Sequence, residues 1–463
     1  MTVALILVVV VAIAGIGVVL VRWRPRHHPD RLVLGLVRRT PYTVPARTLL
    51  RHLFVPGPTG SGKSVLLTSL CHEVAALPSQ WSLVVIDVKD GALCSDIIET
   101  LPPHRLADCL LITAADPAFP PSLNFLAGIR PERRSLAASE FLSCYRRLFD
   151  TSSAPRLEYI LLMATLLICQ LPGATMLDIL RLLRDRPYRA WAAAQVHSNV
   201  MVRQFWEAGG EYDDIVGKHA STANVQSIIN KIGGLLALPE VRNLLGQPEH
   251  KLDIRQCIDT GKILLFDFSK GVIGELASAF LAAITATQVQ LAAQSRADTP
   301  AVSRHPTVLV VDEFQNFAVS SFETALSEGR SEGLGIVAAC QFERQLSTPL
   351  RLTIEANCAY KLQCQRREDQ RTGKATHHVL ITPLQEPDAQ LRTVDALALP
   401  PLPRRNPANL QLVRDQSRRL LARPRAEVEA DIARRMNQIP QPKEHCLDHN
   451  PCPTAEPPLF EEP

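Results

Sequence analysis

Gly57 to Ser64 reads Gly-Pro-Thr-Gly-Ser-Gly-Lys-Ser and satisfies G-x-x-x-x-G-K-[ST] at every fixed position. The pattern requires a strand entering the loop and a helix leaving it. Leu53-Phe54-Val55 is an apolar run before the loop, and Val65 to Leu77 has the spacing of an amphipathic helix stopped by Pro78. Gly57, Gly60 and Gly62 let the backbone turn tightly and bring N–H groups onto phosphate oxygens with no Cβ between. Pro58, Thr59 and Ser61 complete the loop. Lys63 brings a positive charge to the β- and γ-phosphates, and the Ser64 hydroxyl is placed to bind Mg²⁺. The helix N-terminus adds its own partial positive charge. The eight residues therefore predict a site for ATP and Mg²⁺.

Further short apolar runs follow at Leu83–Ile86, Cys109–Ile112, Ile263–Phe266, Val308–Val311 and Gly335–Ala339. They are β-branched and continuous rather than alternating, as strands of a parallel sheet buried on both faces should be. With helices between them, they predict an α/β, RecA-like P-loop domain.

The pattern turns helical from about Glu132 to Ile258. Leu157, Ile160, Leu161, Ala164, Leu167 and Ile168 repeat at helical spacing, and Met176 to Arg184 forms another helix with Thr175 as N-cap and Pro187 beyond its end. The expected division is thus an ATPase domain in two parts, 23–131 and 259–398, interrupted by an all-helical insertion at 132–258. From 399 onward prolines and arginines dominate, and 399–463 reads as a disordered tail. His445, Cys446, His449 and Cys452 lie close together there, but their spacing fits no standard zinc module.

Thr2 to Val21 carries no charged residue and is long enough to span a bilayer. Arg22, Arg24, Arg26 and Arg31 follow it, the reverse of the order in a cleavable signal peptide. Residues 1–22 are therefore expected to be a transmembrane anchor, with the rest of the chain on the cytoplasmic face. Eleven cysteines with no C-x-x-C pair suit a reducing compartment. A net charge of +4 over 463 residues gives no global signature of nucleic-acid binding, so any basic surface must be local.

The second half of an ATP site is legible at Thr307 to Phe317, a hydrophobic strand ending in Asp312-Glu313. Asp312 is placed to hold Mg²⁺, and Glu313 to activate the attacking water as a general base.

At this point the chain resembles the FtsK/HerA superfamily of ring ATPases, and within it the TraD/TraG-type coupling proteins of type IV secretion. The matching segments run in family order: the N-terminal anchor, the phosphate loop, Val84 to Gly91, Leu123 to Leu126, the helical insertion, Gly261 to Gly271, the Asp-Glu strand, and Gly329 to Gln341. The resemblance implies that Gln341 is a polar sensor that feels the γ-phosphate or positions water. It implies that Arg330 is an arginine finger reaching the ATP of a neighbouring subunit. Asp87 and Lys89 match the family's Asp-x-Lys turn, for which a salt-bridged turn and a nucleic-acid contact both stand open. The resemblance further implies a homo-hexamer in the bacterial inner membrane. It would move DNA without regard to sequence, in partnership with a relaxase and secretion-channel proteins. The family pattern has two membrane helices, whereas one apolar run is legible here. Two other functions are compatible with the same motifs: a DNA pump or repair ATPase without secretion partners, and an ATPase powering protein export or assembly of a membrane machine without DNA.

Overall fold

The computed structural model describes residues 30–78, 81–151, 154–217, 222–316, 320–368, 375–385, 393–402 and 405–438. The expected membrane anchor and the His445–Cys452 cluster lie outside the described residues.

One sheet organises the chain. Its strands are β1 (Arg31–Val37), β2 (Thr40–Pro45), β3 (Leu53–Pro56), β4 (Ser82–Asp87), β5 (Cys109–Thr113), β6 (Ile263–Asp267), β7 (Thr307–Val311), β8 (Leu334–Cys340), β9 (Tyr360–Glu368), β10 (Ala375–Pro383) and β11 (Val394–Leu397). Their spatial order is β2-β1-β11-β10-β9-β3-β8-β7-β4-β6-β5. From β9 to β5 every neighbour is parallel. From β9 to β2 every neighbour is antiparallel. The six runs expected as strands are β3 to β8, and helices cover both of their faces. Val84, Ile86, Leu264 and Leu309 belong to one buried cluster, and Leu83, Val85, Leu265 and Val310 to the other. Alternate residues of one strand thus feed opposite cores, which is why these runs are apolar throughout.

Between β5 and β6, neighbours in the sheet, the described residues contain helices and no strand. Thr175 caps the helix Met176–Arg184 as expected, its N–H donating to the Asp178 carboxylate at 2.8 Å. Trp206 and Tyr212 stack with ring centroids 4.7 Å apart inside this region, and the Trp206 indole donates to the Met163 carbonyl at 3.1 Å.

The tail expected to be disordered is corrected by the structure over part of its length. Pro407–Leu421 and Arg425–Asn437 are helices. They bury Val413, Leu421, Val428 and Ile432 against the body of the protein. The first covers the open edge of the sheet, where the Leu111 N–H on β5 donates to the Ser417 hydroxyl at 2.8 Å. The second lies on the helical region, with Arg435 donating to the Gly173 carbonyl at 2.7 Å.

Among the described residues, one helix is long and apolar enough to cross a membrane, Glu275–Asp298. It is a core helix, with Phe280, Leu281, Ile284 and Val289 all buried.

Candidate functional site

All parallel strands end on the same side of the sheet, and the loops leaving those ends form the site. β8 lies between β3 and β7. The phosphate loop after β3, Gln341 after β8 and the Asp312-Glu313 pair after β7 are therefore adjacent, although they are far apart in sequence.

The loop folds as its glycines require. Gly60 has φ +79° and Gly62 φ +93°, a region side chains rarely enter. The helix that follows, Lys63–Ala76, is buried on most sides rather than along one stripe, a departure from the expected amphipathic pattern. It runs between the sheet and the helix Ala92–Thr100, so Leu66, Leu67, Leu70 and Cys71 are all enclosed.

Lys63 is the electrostatic centre. Its Nζ is 2.9 Å from Asp312 Oδ1 and 3.3 Å from Glu313 Oε1. Burial presses the lysine pKa down, but the two carboxylates outweigh it and leave the pKa raised. Glu313 shows the opposite balance. Burial favours its neutral form, yet Lys63 and the side-chain amides of Gln341 and Gln315 hold its pKa below the usual carboxylate value. Gln341 Nε2 stands 3.1 and 3.2 Å from the two Glu313 oxygens, and Gln315 Nε2 is 2.5 Å from Oε2. Glu313 itself is left-handed, with φ +54°, and its N–H donates to Asp312 Oδ1 at 2.9 Å. A glutamate so strained and so fully engaged marks a position where the surroundings dictate the backbone.

A cleft of about 290 Å³ opens beside this cluster, lined by Pro58, Thr59, Gly60, Gly62, Lys63, Ser64, Val65, Lys89, Glu313, Gln341 and His377. It suits a nucleotide's phosphates. It has a cation and an exposed serine hydroxyl at the start of a helix, and the buried Ser61 hydroxyl nearby has no protein partner.

The Asp87 to Lys89 turn is not the salt-bridged turn that stood as one expectation. Asp87 accepts the Lys89 N–H at 2.9 Å and the Leu93 N–H at 3.1 Å. It holds the entry to the helix Ala92–Thr100 instead of pairing with the lysine side chain. Burial pushes its pKa up to about 6, with the Lys89 N–H opposing and Asp267 and Asp312 adding to the rise. The Lys89 side chain is exposed at the cleft.

Arg330 is not brought to this site. It is exposed on the turn before β8, at the opposite end of that strand from Gln341. Seven residues of β8 separate the two ends, about 20 Å of extended chain. Arg330 instead lines a basic cavity of about 1020 Å³ with Arg47, Arg51, Arg304 and His305. Arg344 lies on the phosphate-loop side of its own chain, in a cavity shared with Gly57, Pro58 and Gln341.

Sequence reasoning missed His377 on β10. Its Nε2 is 3.1 Å from the Gly60 carbonyl. No periodicity or motif connects the two positions, which lie 317 residues apart.

No protein-family model matches the chain, and no curated protein matches it either. Solved structures do. The chain is similar to the bacterial conjugative coupling protein TrwBΔN70 in its unbound form, with 18% identity and a TM-score of 0.52 over 82% of this chain and 83% of that one. It is similar to the plasmid coupling protein TrwB in complex with ADP and Mg²⁺, at 17% identity and a TM-score of 0.55 over 82% and 96% of the two chains. TrwB in complex with the GTP analogue GDPNP gives 16% identity and a TM-score of 0.55 over 84% and 94%. The fold is thereby established: this chain is built like the coupling protein TrwB.

Proposed function

We propose that this protein is an ATP hydrolase that works as a membrane-anchored, hexameric DNA translocase, the coupling protein of a conjugation or type IV secretion system. The observation that carries the reading is the convergence of Lys63, Ser64, Glu313 and Gln341 on one cleft at the carboxyl ends of β3, β7 and β8, with Asp312 ion-paired to Lys63 behind it. Support comes from the shared fold with TrwB, which has been seen with ADP and Mg²⁺.

In this reading the phosphate loop and Lys63 bind ATP, while Ser64 and Asp312 hold Mg²⁺. The metal would neutralise charge between the β- and γ-phosphates. Glu313, kept ionised by Lys63, takes the proton of the attacking water, and Gln341 fixes the glutamate's orientation. Arg330, remote from its own cleft, is suited to act on the nucleotide of an adjacent subunit. Residues 1–22 anchor the ring in the bacterial inner membrane, with a relaxase and channel proteins as partners. A pump that tolerates any sequence contacts phosphates through Lys and Arg, so its DNA binding should fall steeply with salt.

A subunit-mixing assay tests the assembly. Neither Arg330→Ala nor Lys63→Ala rings should hydrolyse ATP, but a mixture should recover part of the activity, because an intact loop then meets an intact finger. A mixture as inactive as its components would remove the intersubunit role of Arg330.

A further inference from the structure

The nucleotide cleft has a wall that belongs to neither half of the ATPase motif. β10 hydrogen-bonds to β9 along its whole length, from Ala375 opposite Glu368 to Pro383 opposite Tyr360. It delivers His377 to the phosphate loop. His377 Nε2 is 3.1 Å from the Gly60 carbonyl oxygen, and its ring atoms lie 3.3 to 3.5 Å from where a Cβ on Gly62 would stand. A carbonyl only accepts, so Nε2 carries the proton. The histidine's own backbone is held as well, since its carbonyl accepts the Ala398 N–H at 2.8 Å. Below the loop, Cys364 of β9 packs so closely that a Cβ on Gly57 would come within 2.8 Å of it. The antiparallel wing therefore holds the loop from two sides.

The contact acts on one peptide unit. The carbonyl of Gly60 and the N–H of Ser61 are its two ends. The carbonyl accepts from His377 at 3.1 Å, and the N–H donates to the Pro58 carbonyl at 3.1 Å. Gly60 has φ +79° and no atom within 4 Å of where a Cβ would be, so no side-chain packing holds it there. Gly62, Lys63 and Ser64 follow directly and open the helix, and the N–H groups of a first helical turn have no partners within the helix. Pinning the preceding peptide fixes the direction in which they are offered. We propose that His377 is a positioning residue of the nucleotide site, which sets nucleotide affinity by pre-shaping the phosphate loop from the antiparallel wing. The proposal rests on the nucleotide-binding function proposed for the same cleft.

The test uses the full chain in detergent, a fluorescent ADP as binding probe and steady-state ATP hydrolysis. Three variants separate the components. His377→Ala removes ring and donor, His377→Phe keeps a ring without a donor, and His377→Gln keeps an N–H donor without the ring. Losing one hydrogen bond that preorganises a site corresponds to roughly fivefold to tenfold in affinity. His377→Ala and His377→Phe should weaken ADP binding and raise KM for ATP by that factor, with kcat changed less than about twofold. His377→Gln should recover most of the loss, and the melting temperature of the nucleotide-free protein should not follow this order. Parental binding in all three variants would overturn the proposal, and so would rescue by Phe but not by Gln. A fall in kcat at unchanged KM would overturn it too, since the residue would then act at the reacting atoms. A parent that binds ADP no better than Lys63→Ala would instead refute the nucleotide site itself, and the proposal with it.

Discussion

Lys63 Nζ lies 2.9 Å from Asp312 Oδ1, a buried ion pair joining the start of the helix after β3 to the end of β7. Glu313 shares the same ammonium at 3.3 Å. Lys63, Asp312 and Glu313 are 8%, 2% and 4% exposed, so the cation neutralises two carboxylates that solvent hardly reaches. Removing one partner of such a cluster leaves uncompensated charge in the interior. Lys63→Ala should therefore abolish nucleotide binding and also destabilise the nucleotide-free protein, by about 3 kcal/mol at neutral pH. The raised lysine pKa makes its contribution present below its unfolded value of 10.5 and lost as pH rises through the folded value. The lowered Glu313 pKa makes its contribution present above 4.5 and lost as pH falls through the folded value. Denaturant melts of parent and variant should thus differ most between about pH 5 and 10, and the gap should shrink in acid.

Glu313 and Gln341 should separate binding from chemistry. Glu313→Gln keeps the shape and removes the base, so ADP affinity should stay within about threefold while turnover falls at least 100-fold. Gln341→Ala frees the glutamate from its two contacts at 3.1 and 3.2 Å and should lower kcat roughly tenfold with little change in KM. Parental turnover in Glu313→Gln would assign the base elsewhere.

His52, 1% exposed, accepts the Ile336 N–H on Nδ1 at 3.0 Å and joins the start of β3 to β8. Burial lowers its pKa to about 4, against a weaker opposing hydrogen bond to the Leu326 backbone. An unfolded chain binds the proton near pH 6.5 and the folded one refuses it, so stability is lost as pH falls between those values. From pH 7.5 to pH 5 this one histidine should cost about 2 kcal/mol, and His52→Gln should flatten that part of the pH profile. Urea denaturation of both proteins at the two pH values measures it.

The parallel half of the sheet was legible because each strand there must be apolar on both faces. A continuous run as short as Val308–Val311 suits a strand sandwiched between two helical layers better than it suits a helix. The two ATP motifs were legible because phosphate and metal chemistry restrict residue types over short spans. The antiparallel wing was not. β9 and β10 carry mixed sequences, Tyr360–Glu368 and Ala375–Pro383, with half-exposed faces, and their pairing is set by partners rather than by local pattern. His377 was invisible for the same reason. The helices at Pro407–Leu421 and Arg425–Asn437 were masked by arginine. Their polar faces resemble a disordered tail in composition, while a thin apolar edge formed by Val413, Leu421, Val428 and Ile432 does the packing. Arg405 and Arg418 turned out to be ion-paired, with Asp96 at 2.7 Å and Asp116 at 2.6 Å.

The central claim is that ATP hydrolysis here is spent on DNA. It is tested most directly by ATP turnover of the full chain in detergent, titrated against protein concentration with and without double-stranded DNA of unrelated sequences. The account predicts a rate that rises more steeply than protein concentration and is stimulated by every DNA tested. That stimulation should fade as salt is raised, through counterion release, and vanish in Glu313→Gln. A rate strictly proportional to protein and indifferent to DNA would contradict the claim and leave an ATPase with a different task.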